Sequence, residues 1–327
     1  MNRREFVTIL AGAALAWPLA PFAQTKGKVW RIGYLGGANR PTNGLPPAAL
    51  REALAALGYV EGANIAYEGR WAEAKFERLP ALAAELVQLH VDVVVVVGWV
   101  AANAIKRATS TIPIVIAGVG DAVESGLAAS LSRPGANLTG MTDVEAELSA
   151  KRLQLLKETV PKASRIAVMW NQDDLAMTLR YRKIDGAARA LGVSVKALGV
   201  REPDDFGVAF SAMTSERPDA LFLVTDALTS LNRKRVIEFA ATHRIPTMYE
   251  ANSYVEAGGL MSYGSDAEDR LRRAAYFVDR ILKGAKPADL PLEQPTRYYL
   301  SINLKTAKAL GLAIPQTILL QADQVIE

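Results

Sequence analysis

Two acidic residues, Asp121 and Asp226, follow apolar runs closely and precede segments with helical character. A carboxylate at such a position either pairs with an ammonium or hydroxyl group of a ligand or accepts backbone N–H bonds as the cap of the next helix. The helices to be capped would span residues 123–131 and 228–242. Both roles are therefore open for each residue.

Aromatic residues and glycines occupy equivalent positions. Trp99, Trp170 and Tyr249 stand at the ends of apolar runs, where a ring either packs between helix and sheet or forms a wall of a ligand site. Glycine leaves the backbone bare, so loops such as Gly36-Gly37-Ala38-Asn39 allow a ligand to approach closely. Non-covalent capture of a small molecule is the chemistry that these residue types favour.

Composition excludes several other chemistries. The chain has no cysteine, so disulfides, thiolate catalysis and zinc–thiolate sites are absent. Its two histidines, His90 and His243, lie where predicted helices end before strands, and no GxSxG or HExxH motif occurs. The net charge of +4 is dispersed, which argues against nucleic-acid binding. We therefore predict no catalytic residues, no metal and no cofactor.

The element that organises the chain lies at residues 91–123. Five consecutive valines at residues 93–97 have no polar face, which is typical of a parallel strand covered by helices on both sides. The run ends at Gly98, a helical segment follows, and a second apolar strand ends at Gly118. Ligands of open α/β sheets bind at the carboxyl ends of the strands, where both loops lie.

The pattern occurs twice. Arg31 and Arg165 open similar strands, and each is followed 27 residues later by a glycine that ends a helix, Gly58 or Gly192. Any two α/β domains can share helices that end at glycine, but the equal spacing favours duplication of one α/β unit. The sequence predicts an α/β fold of two doubly wound parallel-sheet lobes joined by a multi-segment hinge.

Each lobe is predicted to contain two separate segments of the chain. We assign residues 24–142 and 265–290 to the N-terminal lobe, and residues 143–264 and 291–327 to the C-terminal lobe. The amphipathic helix expected at residues 266–283 returns to the first lobe, and the tail lies against the second. Several passes between lobes make a hinge and leave a cleft at the strand ends.

The N-terminus has the pattern of an export signal. Residues 1–23 combine Arg3 and Arg4 with an apolar centre and small residues near Ala23, and the paired arginines resemble a twin-arginine signal. We predict cleavage near Ala23 and a periplasmic location. An uncleaved anchor is the alternative, but the apolar run is short and Pro18 and Pro21 interrupt it.

Several stretches, in this order, resemble one family over essentially the whole mature chain. They are RIGYLGG, IPIVIAGVGDAVESGLAASLSRPGANLTGMT, RIAVMWN, LFLVTDAL and IPTMYEANSYVEAGGLMSYG. The chain is similar to ABC transporter substrate-binding proteins, in the group with tryptophan- and tyrosine-binding members. The resemblance implies the type I periplasmic binding protein fold, and a ligand that is an amino acid or another aromatic or amphipathic small molecule. It also implies an ABC permease and its ATPase in the inner membrane as partners.

The resemblance also implies which loops touch the ligand. Carried onto this chain, the predicted contacts are Gly36, Gly37, Asn39, Gly98, Trp99, Gly118, Asp121, Trp170, Asn171, Asp226, Tyr249 and Glu250. Amino-acid-binding members commonly carry Ser or Thr after the third strand, where this chain has Gly98. The hydroxyl contact of those members is therefore not carried over.

Our hypothesis from the sequence is passive capture by a monomer. Aromatic faces would sandwich the apolar part of the ligand, helix N-termini and glycine-loop N–H groups would hold an anionic group, and Asp226 would hold a cationic or hydroxyl group. Closure would follow because only the closed form makes both sets of contacts. The alternatives are a ligand sensor that reports to a membrane receptor and, with less support, an exported enzyme.

Overall fold

The structure, a computed structural model, describes residues 28–143 and 145–327. The predicted export signal and its cleavage position lie outside the described residues.

The described N-terminal residues form an α/β lobe around a six-stranded, all-parallel sheet in the order β11-β5-β4-β3-β1-β2. Its strands are β1 (Trp30–Gly36), β2 (Ile65–Trp71), β3 (Val93–Val97), β4 (Ile114–Ala117), β5 (Leu138–Met141) and β11 (Leu292–Glu293). Its helices are α1 (Ala48–Ala56), α2 (Leu79–Gln88) and α3 (Trp99–Ala108), joined later in the chain by α10 (Ala267–Leu282). The valine run forms β3 with the predicted bounds.

The rest of the described chain forms a second lobe with a seven-stranded sheet in the order β13-β12-β10-β9-β8-β6-β7. Its strands are β6 (Arg165–Asn171), β7 (Ser194–Val200), β8 (Ala220–Leu223), β9 (Thr247–Tyr249), β10 (Met261–Gly264), β12 (Tyr299–Asn303) and β13 (Gln324–Ile326). Its helices are α4 (Glu145–Thr159), α5 (Leu175–Ala190), α6 (Asp205–Ser215), α7 (Ala227–Leu231), α8 (Arg233–Thr242), α9 (Asn252–Glu256), α11 (Leu304–Leu310) and α12 (Gln316–Leu319). Among these described strands, the pair β10 and β12 is antiparallel, and the other pairs are parallel.

Burial on both faces explains why β3 has no polar residue. Successive side chains of a strand point to opposite faces. Val93 and Val95 pack into a core with α1 and α10, whereas Val94 and Val96 pack into a second core with α2 and α3. The two faces need apolar side chains equally, so the sequence shows a run rather than an alternation.

The described chain passes between the two sheets after β5, after β10 and after β11. Helix α10 packs on α1 and on strands of the first sheet. Strand β11 pairs with β5, so the first lobe keeps Leu292 and Glu293, and the last crossing comes after them. The predicted fold of two α/β lobes with a multi-segment hinge is confirmed.

Two predicted helices are wrong in detail. Residues 123–131 form turns, because Gly126 has a φ of 76° and ends helical geometry at once. The helix expected at residues 228–242 is two helices, α7 and α8, which meet at Asn232. The side chain of Asn232 donates to the carbonyl of Leu228, a local bond that competes with helix continuation.

Candidate functional site

A cavity of about 310 Å³ lies between the carboxyl ends of the two sheets. The first lobe and α10 line it with Tyr34, Gly36, Gly37, Ala38, Val97, Gly98, Gly118, Val119, Gly120, Asp143, Ser265, Ala267 and Arg270. The second lobe lines it with Asp174, Met177, Arg180, Thr225, Asp226, Ala227, Ser230, Glu250, Ala251, Ser253 and Tyr254. This size suits a single small molecule that touches both lobes.

Asp226 reaches the cavity from the N-cap of α7. Its Oδ1 accepts the backbone N–H of Thr229 at 2.9 Å, and the Thr229 hydroxyl accepts the N–H of Asp226, which completes a capping box. Its Oδ2 accepts from the Asn171 amide at 2.7 Å. Burial raises the pKa of the Asp226 carboxyl above its ordinary value, against the effect of these bonds. The predicted alternatives, helix cap and cleft carboxylate, are thus compatible in one side chain.

A second carboxylate, Asp174, lies beside it at the N-cap of α5. Its Oδ1 accepts the N–H of Met177 at 3.1 Å, and the residue is 2% exposed. Burial, and then the charge of Asp226, raise the pKa of Asp174 to about 7. Among the described residues, neither Asp174 nor Asp226 forms an ion pair with a Lys, Arg or His side chain.

The other charged groups of the cavity are paired with one another. Glu250 accepts from Arg152 at 3.0 Å, from Arg180 at 2.9 Å and from the N–H of Thr225 at 2.8 Å. Arg180 also reaches Asp143 at 3.3 Å, and Asp143 accepts the N–H of Gly120. Because α5 carries Arg180 and Asp143 is bonded to a loop of the first lobe, this network joins the two lobes.

Three buried polar atoms on residues that line the cavity have no hydrogen-bond partner within the described chain: Asp143 Oδ1, Thr225 Oγ1 and Arg270 Nε. Arg270 Nε lies 3.8 Å from Asp143 Oδ1, and Arg270 Nη1 donates to the Ser265 hydroxyl. Buried polar groups are normally bonded, and an unbonded one costs about 1–3 kcal/mol. The lining residues thus include an acceptor, a hydroxyl and a guanidinium donor without a hydrogen bond inside the described chain.

Apolar groups complete the walls. Tyr34 and Val97 contribute from the first sheet, and Met177 and Tyr254 from the second lobe. The Tyr254 ring stacks on Tyr249 at 4.8 Å, which fixes its orientation from behind. Apolar walls with a few polar groups at defined places are typical of small-molecule sites.

The lobes touch on the sides of the cavity, and small residues allow the approach. A Cβ added to Gly120 of the first lobe would lie 2.6 Å from Cβ of Ala176 on α5. Trp99, at the start of α3, packs against apolar cores of both lobes, and its indole N–H donates to the carbonyl of Ser125 at 3.4 Å. The cleft is therefore closed in this structure.

Half of the twelve predicted contacts line the cavity: Gly36, Gly37, Gly98, Gly118, Asp226 and Glu250. Asn171 lies directly behind this surface and positions Asp226. For these residues, contact with a ligand stays a prediction.

The other predicted contacts lie elsewhere. Trp170 stacks on Tyr181 at 3.9 Å in the core of the second lobe, and Tyr249 packs behind Tyr254. Asp121 accepts the N–H groups of residues 123 and 124 and so closes a turn. Trp99 lies between the lobes, and Asn39 is exposed.

Sequence reasoning missed several lining residues, notably Tyr34, Asp143, Asp174, Arg180 and Arg270. Asp174 carried a usable signal, because it follows a strand and precedes a helix as Asp226 does. Tyr34 lies within a strand and is buried in the core of the first lobe, but it also lines the cavity. The two arginines lie inside amphipathic helices, and nothing local distinguishes them from surface arginines.

The described residues contain neither a metal-binding cluster nor a membrane-spanning helix. No cluster of three His, Cys, Asp or Glu side chains with metal-binding geometry occurs within them. No helix in residues 28–143 or 145–327 has the length and apolarity needed to cross a bilayer.

Comparison with known families identifies the group to which this architecture belongs. The family model described as ABC transporter substrate binding protein matches residues 47–326, most of the chain. The chain belongs to this family. The members are binding proteins rather than enzymes, and the fold is that of type I periplasmic binding proteins.

Individual relatives give the same picture. This ABC transporter substrate-binding protein is 28% identical over 262 residues to a tyrosine-binding protein of Clostridioides difficile, covering 80% of this chain and 75% of that one. A Streptococcus pneumonia ABC domain in complex with L-Trp is 26% identical, with a TM-score of 0.84 over 91% of this chain and 100% of that chain. A ligand-free, open substrate-binding protein with adhesive properties from Clostridium difficile is also 26% identical, over 91% of this chain and 99% of that one, but has a TM-score of 0.62. At equal identity, the lobe arrangement here is thus nearer to the tryptophan complex than to the open form.

Proposed function

We propose that this protein is the extracytoplasmic solute-binding component of an ABC importer and that it captures an α-amino acid with an aromatic or other large apolar side chain. The observation that carries the proposal is the placement of opposite charges across one apolar cavity. Asp226 faces it from the second lobe without a cationic partner in the described chain. Arg270 faces it from α10, and its buried Nε has no hydrogen bond within the described chain, although Asp143 Oδ1 lies 3.8 Å away.

An α-amino acid matches this arrangement group by group. Its ammonium would bind Asp226, whose orientation is already set by Asn171 and Thr229. Its carboxylate would accept from Arg270, and a hydrogen bond to a charged group contributes about 1.5–3 kcal/mol. Its side chain would lie among Tyr34, Met177 and Tyr254. Two similar proteins, one in complex with L-Trp and one named for tyrosine binding, support the class.

Capture and closure are one event in this scheme. The contacts to Asp226 belong to the second lobe and those to Arg270 to the first, so a zwitterion reaches both only in the closed form. A ligand that binds one conformation better shifts the population towards it. The closed protein would then deliver its ligand to the permease of the transporter from the periplasmic side.

The test is a set of matched ligands measured by isothermal titration calorimetry. L-Tryptophan, L-tyrosine and L-leucine are compared with tryptamine, which lacks the carboxylate, and with indole-3-propionate, which lacks the ammonium. We expect at least one amino acid to bind more tightly than both analogues by about tenfold or more, the equivalent of one charged hydrogen bond. Absence of binding, or equal binding of the analogues, would contradict the proposed ligand class.

Asp226→Asn sharpens the comparison, because Asn also caps helices and keeps the bond to Thr229. We expect this variant to fold normally, to bind L-tryptophan at least tenfold more weakly, and to bind indole-3-propionate about as wild type does. An importer role predicts slower uptake of the labelled ligand by cells that lack the protein. Unchanged uptake would favour the alternative of a ligand sensor.

A further inference from the structure

Asp174 is almost inaccessible, yet it is part of the cavity wall. It is 2% exposed, and the N–H of Met177 bonds one of its oxygens. The wall formed by the first lobe holds Asp143, which is 5% exposed and has an Oδ1 without a hydrogen bond from any described residue. The cavity thus contains more acidic groups than the single ammonium contact of Asp226 requires.

The titratable and charged groups that line the cavity together with Asp174 come from both lobes. They are Arg180 on its own helix, Asp226 at α7, Glu250 after β9, Asp143 after β5, Arg270 on α10, and the phenols Tyr34 and Tyr254. The two guanidinium groups are directed to Glu250 and Asp143, which they contact at 2.9–3.8 Å. Within the described chain, neither guanidinium group forms an ion pair with Asp174 or Asp226. Asn171 links these two residues, because its side-chain amide donates to Asp226 and its backbone carbonyl accepts the N–H of Asp174.

Two neighbouring carboxylates in a closed site do not both ionise freely, because the second charge is opposed by the first and by burial. Below about pH 7, one of them therefore keeps a proton until a cation arrives. The pKa of about 7 for Asp174, raised by burial and by Asp226, agrees with a proton held there near neutral pH.

We propose that Asp174 and Asp226 bind the ammonium group of the ligand together, and that the ligand displaces one proton from this pair to solvent. The inference rests on the proposed function, since it assumes a ligand with an ammonium group. The charge balance is simple. The empty pair carries one negative charge and one proton, and the occupied pair carries two negative charges, one of them compensated by the ammonium and the other stabilised by Arg180 further along α5.

The affinity for the ligand should then increase as the pH rises. Below pH 7 the ligand competes with the proton, so the dissociation constant falls as the pH rises, by up to about tenfold per pH unit. Above pH 7 the pair has already lost its proton and the affinity levels off. With the Asp174 pKa at about 7, L-tryptophan should bind about 25-fold more tightly at pH 7.5 than at pH 5.5.

The experiment is calorimetric titration of L-tryptophan at pH 6.5 in buffers of different ionisation enthalpy, which counts released protons, together with dissociation constants from pH 5.5 to 8. We expect wild type to release about 0.8 proton per ligand at pH 6.5, because a group with a pKa of about 7 is mostly protonated there. Asp174→Asn keeps an oxygen to cap α5, so it should fold, bind, and release less than about 0.2 proton. Asp185→Asn is the control. It removes the same charge from the far end of the same helix, where Asp185 pairs with Arg189 away from the cleft, and it should release protons as wild type does.

The outcomes separate the two proposals. If no amino acid binds at any pH, the proposed function fails. If L-tryptophan binds wild type without proton release, or if Asp174→Asn releases as many protons as wild type, the carboxylate pair is wrong and the proposed function stands. The wild-type measurement decides the matter even if the variant does not fold.

Discussion

Gly37 of the first lobe faces Ala227 of the second across the closed cleft. A Cβ built on Gly37 would lie 2.8 Å from Cβ of Ala227 and 2.7 Å from Cε1 of Phe76, which itself packs against the core of the second lobe. Real Cβ contacts are not that short, so the side chain of any other residue would hold the lobes apart. The lobes can close here because position 37 lacks a Cβ.

Gly37→Ala should therefore weaken ligand binding without unfolding the protein. Overpacking costs about 1–3 kcal/mol, so we expect a 5- to 150-fold rise in the dissociation constant, with a thermal midpoint close to that of the ligand-free wild type. Calorimetry measures the affinity, and small-angle scattering should show a more open form in the presence of ligand. Gly207→Ala on α6 is the control, since its Cβ meets nothing within 4 Å. Unchanged affinity for Gly37→Ala would contradict this closed geometry.

Arg270→Gln should separate the carboxylate contact from the rest of the site. We expect the affinity for L-tryptophan to fall about tenfold or more, because one charged hydrogen bond is lost, while the affinity for tryptamine stays the same. Arg273→Gln serves as the comparison. Arg273 lies on the same helix but pairs with Glu293 at 2.6 Å and does not line the cavity. An equal loss for both ligands would assign Arg270 a structural role instead.

We expect Glu250 to contribute mainly to the stability of the fold rather than to ligand binding. It is 5% exposed and accepts from Arg152 and Arg180, so Glu250→Ala removes a carboxylate that two buried guanidinium groups share. Breaking a buried pair costs about 3–5 kcal/mol, which urea unfolding would detect as a lower midpoint. Glu256→Ala, at an exposed position on α9, should change the unfolding free energy by less than about 0.5 kcal/mol. If Glu250→Ala is as stable as the Glu256 variant, the network contributes little to the fold.

The ion pair between Lys183 and Glu124 joins the lobes at the surface but should not hold them together. The charged atoms lie 3.6 Å apart, and the side chains are 52% and 36% exposed. Exposed pairs of this kind contribute about 0–1 kcal/mol and are screened by salt. A double-mutant cycle with Lys183→Ala and Glu124→Ala, read as ligand affinity at 0.15 M salt, should give a coupling below about 0.5 kcal/mol. A larger coupling would make this pair part of the closure mechanism.

The contribution of Asp174 to the stability of the ligand-free protein should be larger in mild acid than at alkaline pH. Its folded-state pKa of about 7 lies above the ordinary value of 3.8, so the folded form binds the proton more tightly than the unfolded form does. The stabilisation is fully present below about pH 4 and is lost as the pH rises through 7. The thermal midpoint of wild type minus that of Asp174→Asn should therefore decrease between pH 5 and pH 8. A constant difference over this range would contradict the raised pKa.

The sequence predicted the order of strands and helices well, because the signals are local. The run at β3, the glycines that end helices and the prolines that precede strands act within a few residues, and both lobes follow from them. Two errors came from equally local competition: the positive φ of Gly126 ended a helix, and the side chain of Asn232 divided another.

The sequence by itself determined that loops at the carboxyl ends of parallel strands form the cleft, since strand direction alone decides which edge they share. This placed Gly36, Gly98, Gly118 and Asp226 at the cavity. Only the tertiary structure decided that Arg180 and Arg270 face the cavity and that Asp174 stands beside Asp226. Those positions depend on how α5 and α10 are rotated and on how the lobes close, which are set by packing between residues far apart in the chain. Trp170 shows the converse, because it ends a strand as the cavity residues do but stacks on Tyr181 in the core.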